Sequence, residues 1–466
     1  MIYKTEEALL YKAKEAEGKT FGEIDKSGRI ENPKAKGQLG QIIEESFFGY
    51  EVNSKSEADF FDLGIELKVT PLRLNKNRTI SAKERLVLNI INYQKEVTNT
   101  FESSSFWKKN NSILLMFYQW IPEVHRSEYQ ILKSHLLSFS EEDLQIIKND
   151  WIFITNKIKS GKAHELSEAD TLYLGACTKG KNKESLRVQP FSPIPAMQRA
   201  YSLKASYITG VARKILSNID LISITNSQEL KSKTLEEILQ DRFSFYIGKT
   251  LTQIASENGI TINKSKSFVP DFVSALLGIK GTKLEDIEEF SKANIHFKTV
   301  RLEPSGTPKE HMSFKNVNFM EWPNEEWEES WLKSHFEQTK FLFVVFEYRE
   351  TERENKNREL FFKGIQLWNM PIEEIDGRLQ CFWRQVQQQL INGIQIEMIK
   401  RGKSTVAKNN LPSPGSNGLC HIRPKGRDGQ DKTLLPDGQM IAKQAFWLDR
   451  EFVFEITKNE VPYENK

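Results

Sequence analysis

Cysteine is the scarcest reactive residue in this chain: Cys177, Cys381 and Cys420 are the three among 466 residues. An odd, widely spaced set excludes a disulfide framework and fits a reducing cytoplasm. Histidine is sparse too, seven residues with none paired at ligand spacing, which argues against zinc or histidine–metal nuclease chemistry. Long apolar runs are missing. The strongest, Phe341-Leu342-Phe343-Val344-Val345-Phe346, is far too short to cross a bilayer and reads as a buried strand. The amino terminus, Met1-Ile2-Tyr3-Lys4-Thr5-Glu6-Glu7, has no apolar signal segment, so the expected location is the cytoplasm, away from any membrane. No strong excess of one charge is present either; the net value is +3.

What is present supports folded domains. Hydrophobic residues at 38% and aromatics at 11% exclude wholesale disorder. A chain of 466 residues exceeds one ordinary core, so two or three domains are expected. The basic residues are clustered. Lys68, Arg73, Lys76, Arg78, Lys83 and Arg85 form one group, and Lys179, Lys181, Lys183 and Arg187 a second. Lys400, Arg401, Lys403 and Lys408, followed by Arg423, Lys425 and Arg427, form a third. One such cluster is ordinarily a solvated face; three tilt toward a polyanionic partner.

The chain also repeats itself. Glu6-Glu7, Leu9 and Gly18-Lys19-Thr20 recur as Glu236-Glu237, Leu239 and Gly248-Lys249-Thr250. Phe60 to Lys68 recurs, more diverged, as Phe290 to Lys298, and both ends of the unit are displaced by the same 230 positions. A fixed displacement marks a duplicated unit. Across it Glu44 becomes Ser274, Asp59 becomes Glu289, Glu66 becomes His296, and Lys68 remains as Lys298. The boundary is expected near 220–232, giving one domain over 1–225 and a second over 226–466.

Residues 4–17 and 36–48 read as amphipathic helices. After residue 57 the period changes to two: Leu63, Ile65 and Leu67 alternate with Gly64, Glu66 and Lys68, as in a strand that Pro71 ends or edges. Further strands are expected at 86–91 and 113–117, and helices over 139–168 and 197–216. The second half repeats the order, with helices at 235–257 and 268–278 and strands at 293–300 and 340–348. The charged run 349–358 reads as a hairpin turn and 402–418 as a flexible loop.

On a strand, Glu66 and Lys68 project from one face, and a short turn would return Asp59 to it. Two carboxylates beside a lysine suit phosphodiester hydrolysis: hard oxygen ligands for magnesium and a compact cation near the phosphate. Glu44, on the preceding helix, could reach the same ion. Glu-x-Lys alone is nearly worthless in a chain that is 28% charged; Asp59 and Glu44 at this spacing make the signal. Gly18-Lys19-Thr20 and its copy lack the earlier glycine and preceding strand of a phosphate-binding loop, and read as the helix stop of the unit.

Lys36-Gly37-Gln38-Leu39-Gly40-Gln41-Ile42-Ile43-Glu44, followed by Asp59 to Lys68, resembles the catalytic segment of the MutH mismatch-repair nickases, which act at GATC. The likeness extends to Cys177-Thr178-Lys179-Gly180-Lys181-Asn182 and to Gln198-Arg199-Ala200-Tyr201-Ser202-Leu203-Lys204. Over nearly its whole length the chain is similar to GATC-cutting restriction endonucleases built as a duplicated MutH unit. The resemblance implies an α/β (mixed) fold: two tandem restriction-endonuclease-like domains, each a mixed central sheet flanked by helices. It implies Mg2+ as cofactor and double-stranded DNA containing GATC as partner, with a DNA-induced homodimer. Glu44, Asp59, Glu66 and Lys68 would be catalytic, with Lys109 as a helper, and Asp59, Glu66 and Glu44 would hold the metal.

For DNA binding the resemblance points to Thr178, Lys179, Lys181, Arg199, Tyr201 and Lys204. In the second half Arg423 and Lys425 sit in His421-Ile422-Arg423-Pro424-Lys425, closer to the family's Arg-Pro-Lys than Cys177-Thr178-Lys179 is, and Phe446 and Trp447 follow. For the aromatic pair, core packing is the competing interpretation. The expectation is a GATC endonuclease with a catalytic first half and a DNA-binding effector second half. Its rivals are a MutH-like repair nickase and a GATC-binding regulatory protein, which would have no need of the full acid set.

Overall fold

The computed structural model describes residues 3–32, 37–51, 57–75, 78–180, 184–262, 268–401 and 404–458. The chain divides into two compact units: Met1–Leu235 with Leu284–Asn294, and Glu236–Lys283 with Ile295–Lys466. The first division thus falls at Leu235, and a second-copy segment, 284–294, folds with the first unit.

In the first unit the main sheet is four-stranded, in the order β2-β1-β4-β5, with β1 Ile65–Leu74, β2 Ile80–Ala82, β4 Ser112–Gln119 and β5 Ile131–Leu137. β1 and β4 are parallel, in register from Ile65–Ser112 to Leu72–Gln119, and the other pairs are antiparallel. Residues 113–117 of β4 are all buried, as a strand covered on both faces requires. A second, antiparallel sheet joins β3 Leu86–Ile90, β9 Arg199–Leu203 and β6 Leu174–Thr178, and a short hairpin, β7 Leu186–Arg187 with β8 Ala196–Met197, precedes β9.

The second unit repeats this plan. β10 Ile295–Leu302 is parallel to β12 Lys340–Tyr348, which is antiparallel to β13 Leu360–Trp368. β11 Met312–Asn316, β19 Gln444–Leu448 and β16 Cys420–Pro424 form the antiparallel companion sheet. Two further hairpins, β14 Ile396–Arg401 with β15 Ser404–Asn409 and β17 Lys432–Leu434 with β18 Met440–Ala442, are present. The repeated Gly-Lys-Thr is a junction in both copies. Gly18 and Gly248 take φ of 85° and 80°, and Thr20 and Thr250 then cap new helices through boxes with Glu23 and Gln253.

Three expectations change. The strand does not stop at Pro71: β2 pairs with β1 only from Leu72 onward, so the missing proline N–H costs no ladder bond on that side. Residues 199–203 are a strand, and the helix begins at Ala205. The stretch expected as loop carries β15, in which the β-branched Thr405 and Val406 favour pairing with β14. Among the described residues no helix is long and apolar enough to cross a membrane.

Candidate active site

The site forms where the helix that begins at Gln38 meets β1. The helix Gln38–Ile42 passes into one π-helical turn, Ile43–Phe47, which carries Glu44; Ile42 and Ile43 are fully buried and fix that turn in the core. Asp59 is brought round by a tight return. A 3-10 turn, Phe61–Leu63, ends at Gly64 with φ 66°, and the Phe60 N–H donates to the Ile65 carbonyl at 2.9 Å. Phe60 is wedged among Phe48 and Tyr50 at 5.1 and 5.2 Å between ring centroids, which pins the return. Because β2 leaves the start of β1 uncovered, the Leu67 N–H is available, and it donates to Asp59 Oδ2 at 2.9 Å.

Glu66 and Lys68 share a face as their spacing requires, and Lys68 Nζ donates to Glu66 Oε1 at 2.6 Å. Lys109, on the helix Ser105–Asn110 that leads into β4, places its Nζ 3.6 Å from the same oxygen. Glu66 is 2% exposed, and its second oxygen, Oε2, is buried without a hydrogen-bond partner. Burial and Asp59 push the Glu66 carboxyl up, while Lys68 and Lys109 pull it down. Glu44 is pushed up to about 7 by burial first and then by Asp59. A buried carboxylate oxygen with no donor, beside crowded acids, fits a hard divalent cation, which would supply the missing positive charge.

The structure sorts the expected DNA-binding residues. Thr178 and Lys179 are exposed at the end of β6, and Arg423 and Lys425 at the end of β16. Trp447 is half-buried, donates to the Arg423 carbonyl at 3.3 Å, and has the Arg423 and Lys425 cations 5.7 and 5.8 Å from its ring. Lys181 lies outside the described residues.

Four of the expected contacts are corrected. Arg199 is 2% exposed and donates to the Ala176 carbonyl. Tyr201 is fully buried with its hydroxyl on Glu96. Lys204, 2% exposed, donates to the Thr171 carbonyl, and Phe446 is fully buried among Phe314, Phe336 and Phe382. All four side chains are buried. β9 is buried along its whole length, so Arg199 and Tyr201 brace the companion sheet from within.

Sequence reasoning passed over Glu96, a fully buried carboxylate. It accepts from Trp151 Nε1, Tyr201 Oη and Ser105 Oγ, each at 3.0 Å, and so anchors the helix that presents Lys109. No local motif marks it; its partners arrive from distant parts of the chain. Sequence spacing also concealed a trio in the second unit. His311, His421 and Asp449 place ligand-type atoms within 4.8 Å of one another. His421 Nδ1 and Asp449 Oδ1 are bonded at 2.5 Å, the Gly415 N–H donates to Asp449 Oδ2 and the Arg450 N–H to His311 Nδ1, each at 3.1 Å, so the trio ties β16 to the end of β19.

The acid set of the first copy has dissolved in the second. Ser274 is buried with its hydroxyl on the Asp271 carbonyl. Glu289, the counterpart of Asp59, is 2% exposed and belongs to the first unit, where it accepts from the Ile224 and Thr225 N–H groups and from the Ser223 and Thr225 hydroxyls.

Comparison with known proteins agrees with this arrangement. The profile of the DNA mismatch repair enzyme MutH matches twice, over residues 48–150 and 281–378, once in each copy. The type II restriction enzyme Sau3AI of Staphylococcus aureus is 36% identical over 491 aligned positions, covering 97% of this chain and 98% of that protein. The chain belongs to the MutH-like type II restriction enzymes. The family has a restriction-endonuclease-like fold, acts on DNA as a site-specific deoxyribonuclease, and uses divalent metal ions. MutH proteins themselves cover less of it: that of Actinobacillus pleuropneumoniae serotype 3 is 31% identical over 39% of this chain, and that of Shewanella woodyi 29% over 45%.

Proposed function

We propose that this restriction endonuclease cleaves double-stranded DNA at GATC with Mg2+, using Glu44, Asp59, Glu66, Lys68 and Lys109 of the first copy. The carboxy-terminal copy binds a second GATC as effector and promotes pairing of two chains. One observation carries the catalytic assignment: two lysines converge on one oxygen of buried Glu66 while its other oxygen is left without a partner. GATC rests on the resemblance of the 36–68 and 177–204 segments to the MutH family.

Glu66 Oε2 and the Asp59 carboxylate would hold the ion, with Glu44, which is coupled to both, as the third acid. A bound Mg2+ polarises phosphate oxygens and acidifies water. Asp59 is oriented by the Leu67 N–H, so its free oxygen has one preferred direction. Glu44, poised near neutrality, ionises readily once positive charge arrives. Lys68 and Lys109, gathered at Glu66, neutralise charge that builds on the scissile phosphate. Lys179 would read a guanine edge from the end of β6. Unmethylated plasmid with GATC sites, incubated with magnesium, should be cut to a GATC ladder whose ends map to that sequence. Cutting that ignores GATC, or none with magnesium, would remove the reading.

A further inference from the structure

The second unit keeps a cationic pocket where the first has its acids. β10 stands to β12 as β1 stands to β4, and Lys298 occupies on β10 the position of Lys68 on β1. Its Nζ donates to the Ser313 carbonyl at 2.5 Å and lies 4.0 Å from the centre of the Phe314 ring. Lys425, from the end of β16, reaches the same spot: its Nζ donates to Ser313 Oγ at 3.1 Å and to the Phe314 carbonyl at 2.5 Å. His296, standing where Glu66 stood, lies 5.7 Å from His335 between ring centroids, and Lys315 sits over Trp331, on which His335 stacks.

We propose that Lys298 and Lys425, flanked by His296, hold a backbone phosphate of the effector duplex directly, without a metal ion. This rests on the reading of the second half as a DNA-binding copy. In the first unit Lys68 shares its site with the Glu66 carboxylate, which would repel a phosphate unless a cation were bound between the two. In the second unit Ser274 and His296 stand where Glu44 and Glu66 stood and the lysine remains, so a phosphate would meet no such repulsion. Among the described residues Lys298 makes no ion pair within 4.0 Å. The titratable groups facing Lys298 are Lys425, Lys315 and the imidazoles of His296 and His335, which burial holds neutral, with Glu321 and Glu325 facing Lys315. Burial and the Lys425 charge lower Lys298 to about 8, and burial, with His296, Lys298 and Lys315, lowers His335 to about 3. The Lys298 and Lys425 ammonium groups therefore stand close enough to repel each other, and an arriving phosphate relieves that repulsion.

Lys425 also belongs to the base-reading segment beside Arg423. The same two strands therefore set both where the backbone sits and which edge is read. A packing role for Lys298, its stem over Phe314 and its amine on a carbonyl, is the competing account, and it predicts no dependence on salt.

The test uses the full chain in EDTA, where no cleavage occurs, with a fluorescent GATC duplex followed by anisotropy and stoichiometric titration. Wild type should bind two duplexes per chain, with the second step the same in EDTA and in calcium. Lys298→Met should leave the first step intact and weaken the second roughly tenfold to a hundredfold, the range of a hydrogen bond to a charged group. Its log–log salt slope in that step should fall by about 0.9, one phosphate contact. Wild-type affinity in that step should drop as pH rises through 8, because the amine loses its proton. Lys298→Arg, which stays charged, should keep the slope and lose the pH dependence. An unchanged salt slope in a folded Lys298→Met protein, or a second step that requires divalent metal, overturns the phosphate site alone. One duplex per wild-type chain overturns the effector reading beneath it.

Discussion

Replacing Glu66 by glutamine keeps the shape of the side chain and removes its charge, so it isolates what the carboxylate contributes. Two separate effects follow from the geometry. Oε1 is held by Lys68 at 2.6 Å and approached by Lys109 at 3.6 Å, whereas Oε2 is unpartnered and buried. The amide still accepts from Lys68 but cannot ligate a hard cation as a carboxylate does, so cleavage should fall by at least about a thousandfold, the scale of losing one preorganised electrostatic element. Stability should change little. The two lysines are 20% and 16% exposed at the side chain and can turn their ammonium groups to water, so the pair is not stranded. Duplex binding without metal should improve. Removing one negative charge ~5 Å from a phosphate at an effective dielectric near 20 is worth at most about 3 kcal/mol, and salt screening leaves roughly a tenfold gain. The assays are single-turnover cleavage in magnesium, anisotropy in EDTA and a melting curve. Cleavage within tenfold of wild type would refute the metal-ligand role of Glu66. Loss of cleavage together with loss of duplex binding and a large drop in melting temperature would show that the residue serves the fold instead.

Further outcomes follow from other parts of the molecule. Lys179→Ala should erase discrimination between GATC and near-cognate duplexes by roughly 1–3 kcal/mol, and a uniform loss across all sequences with a shallower salt slope would show a phosphate contact instead. Tyr201→Phe should lower stability by about 1–2 kcal/mol through the lost hydroxyl bond to Glu96, with unaltered duplex affinity; weaker binding in a stable protein would restore it as a DNA contact. Glu96→Gln should slow cleavage without touching duplex affinity, because it loosens the helix that carries Lys109, and wild-type turnover would remove that coupling. Two-site plasmids should be cut faster than one-site plasmids, a short GATC duplex in trans should rescue the latter, and Arg423→Ala with Lys425→Ala should abolish the difference. Equal rates with wild type would leave the second half as a scaffold.

The sequence made the duplication, the strand face shared by Glu66 and Lys68, and the strands β10 and β12 legible, because each is a local periodicity or a fixed displacement. Glu44 and Asp59 were also within reach, since the helix and the tight return are short-range structures. The companion sheet was not. Arg199, Tyr201 and Lys204 look like DNA contacts when basic and aromatic residues are read along the chain, but burial depends on β6 and β3 packing against β9 from far away. A buried arginine that satisfies a carbonyl has the same one-letter signature as an exposed one. Glu96 was invisible for the same reason: its three donors come from Ser105, Trp151 and Tyr201.

Glu289 has a consequence for how this chain can evolve. Its counterpart, Asp59, is an acid in the cleft of the first copy, but Glu289 is now the knot that gathers residues 223–225. Restoring glutamates at Ser274 and His296 would therefore not rebuild a second nuclease. The third acid is committed elsewhere, and freeing it would leave buried backbone N–H groups without acceptors. Loss of chemistry in the second copy has become a one-way ratchet, secured by the stability of the first.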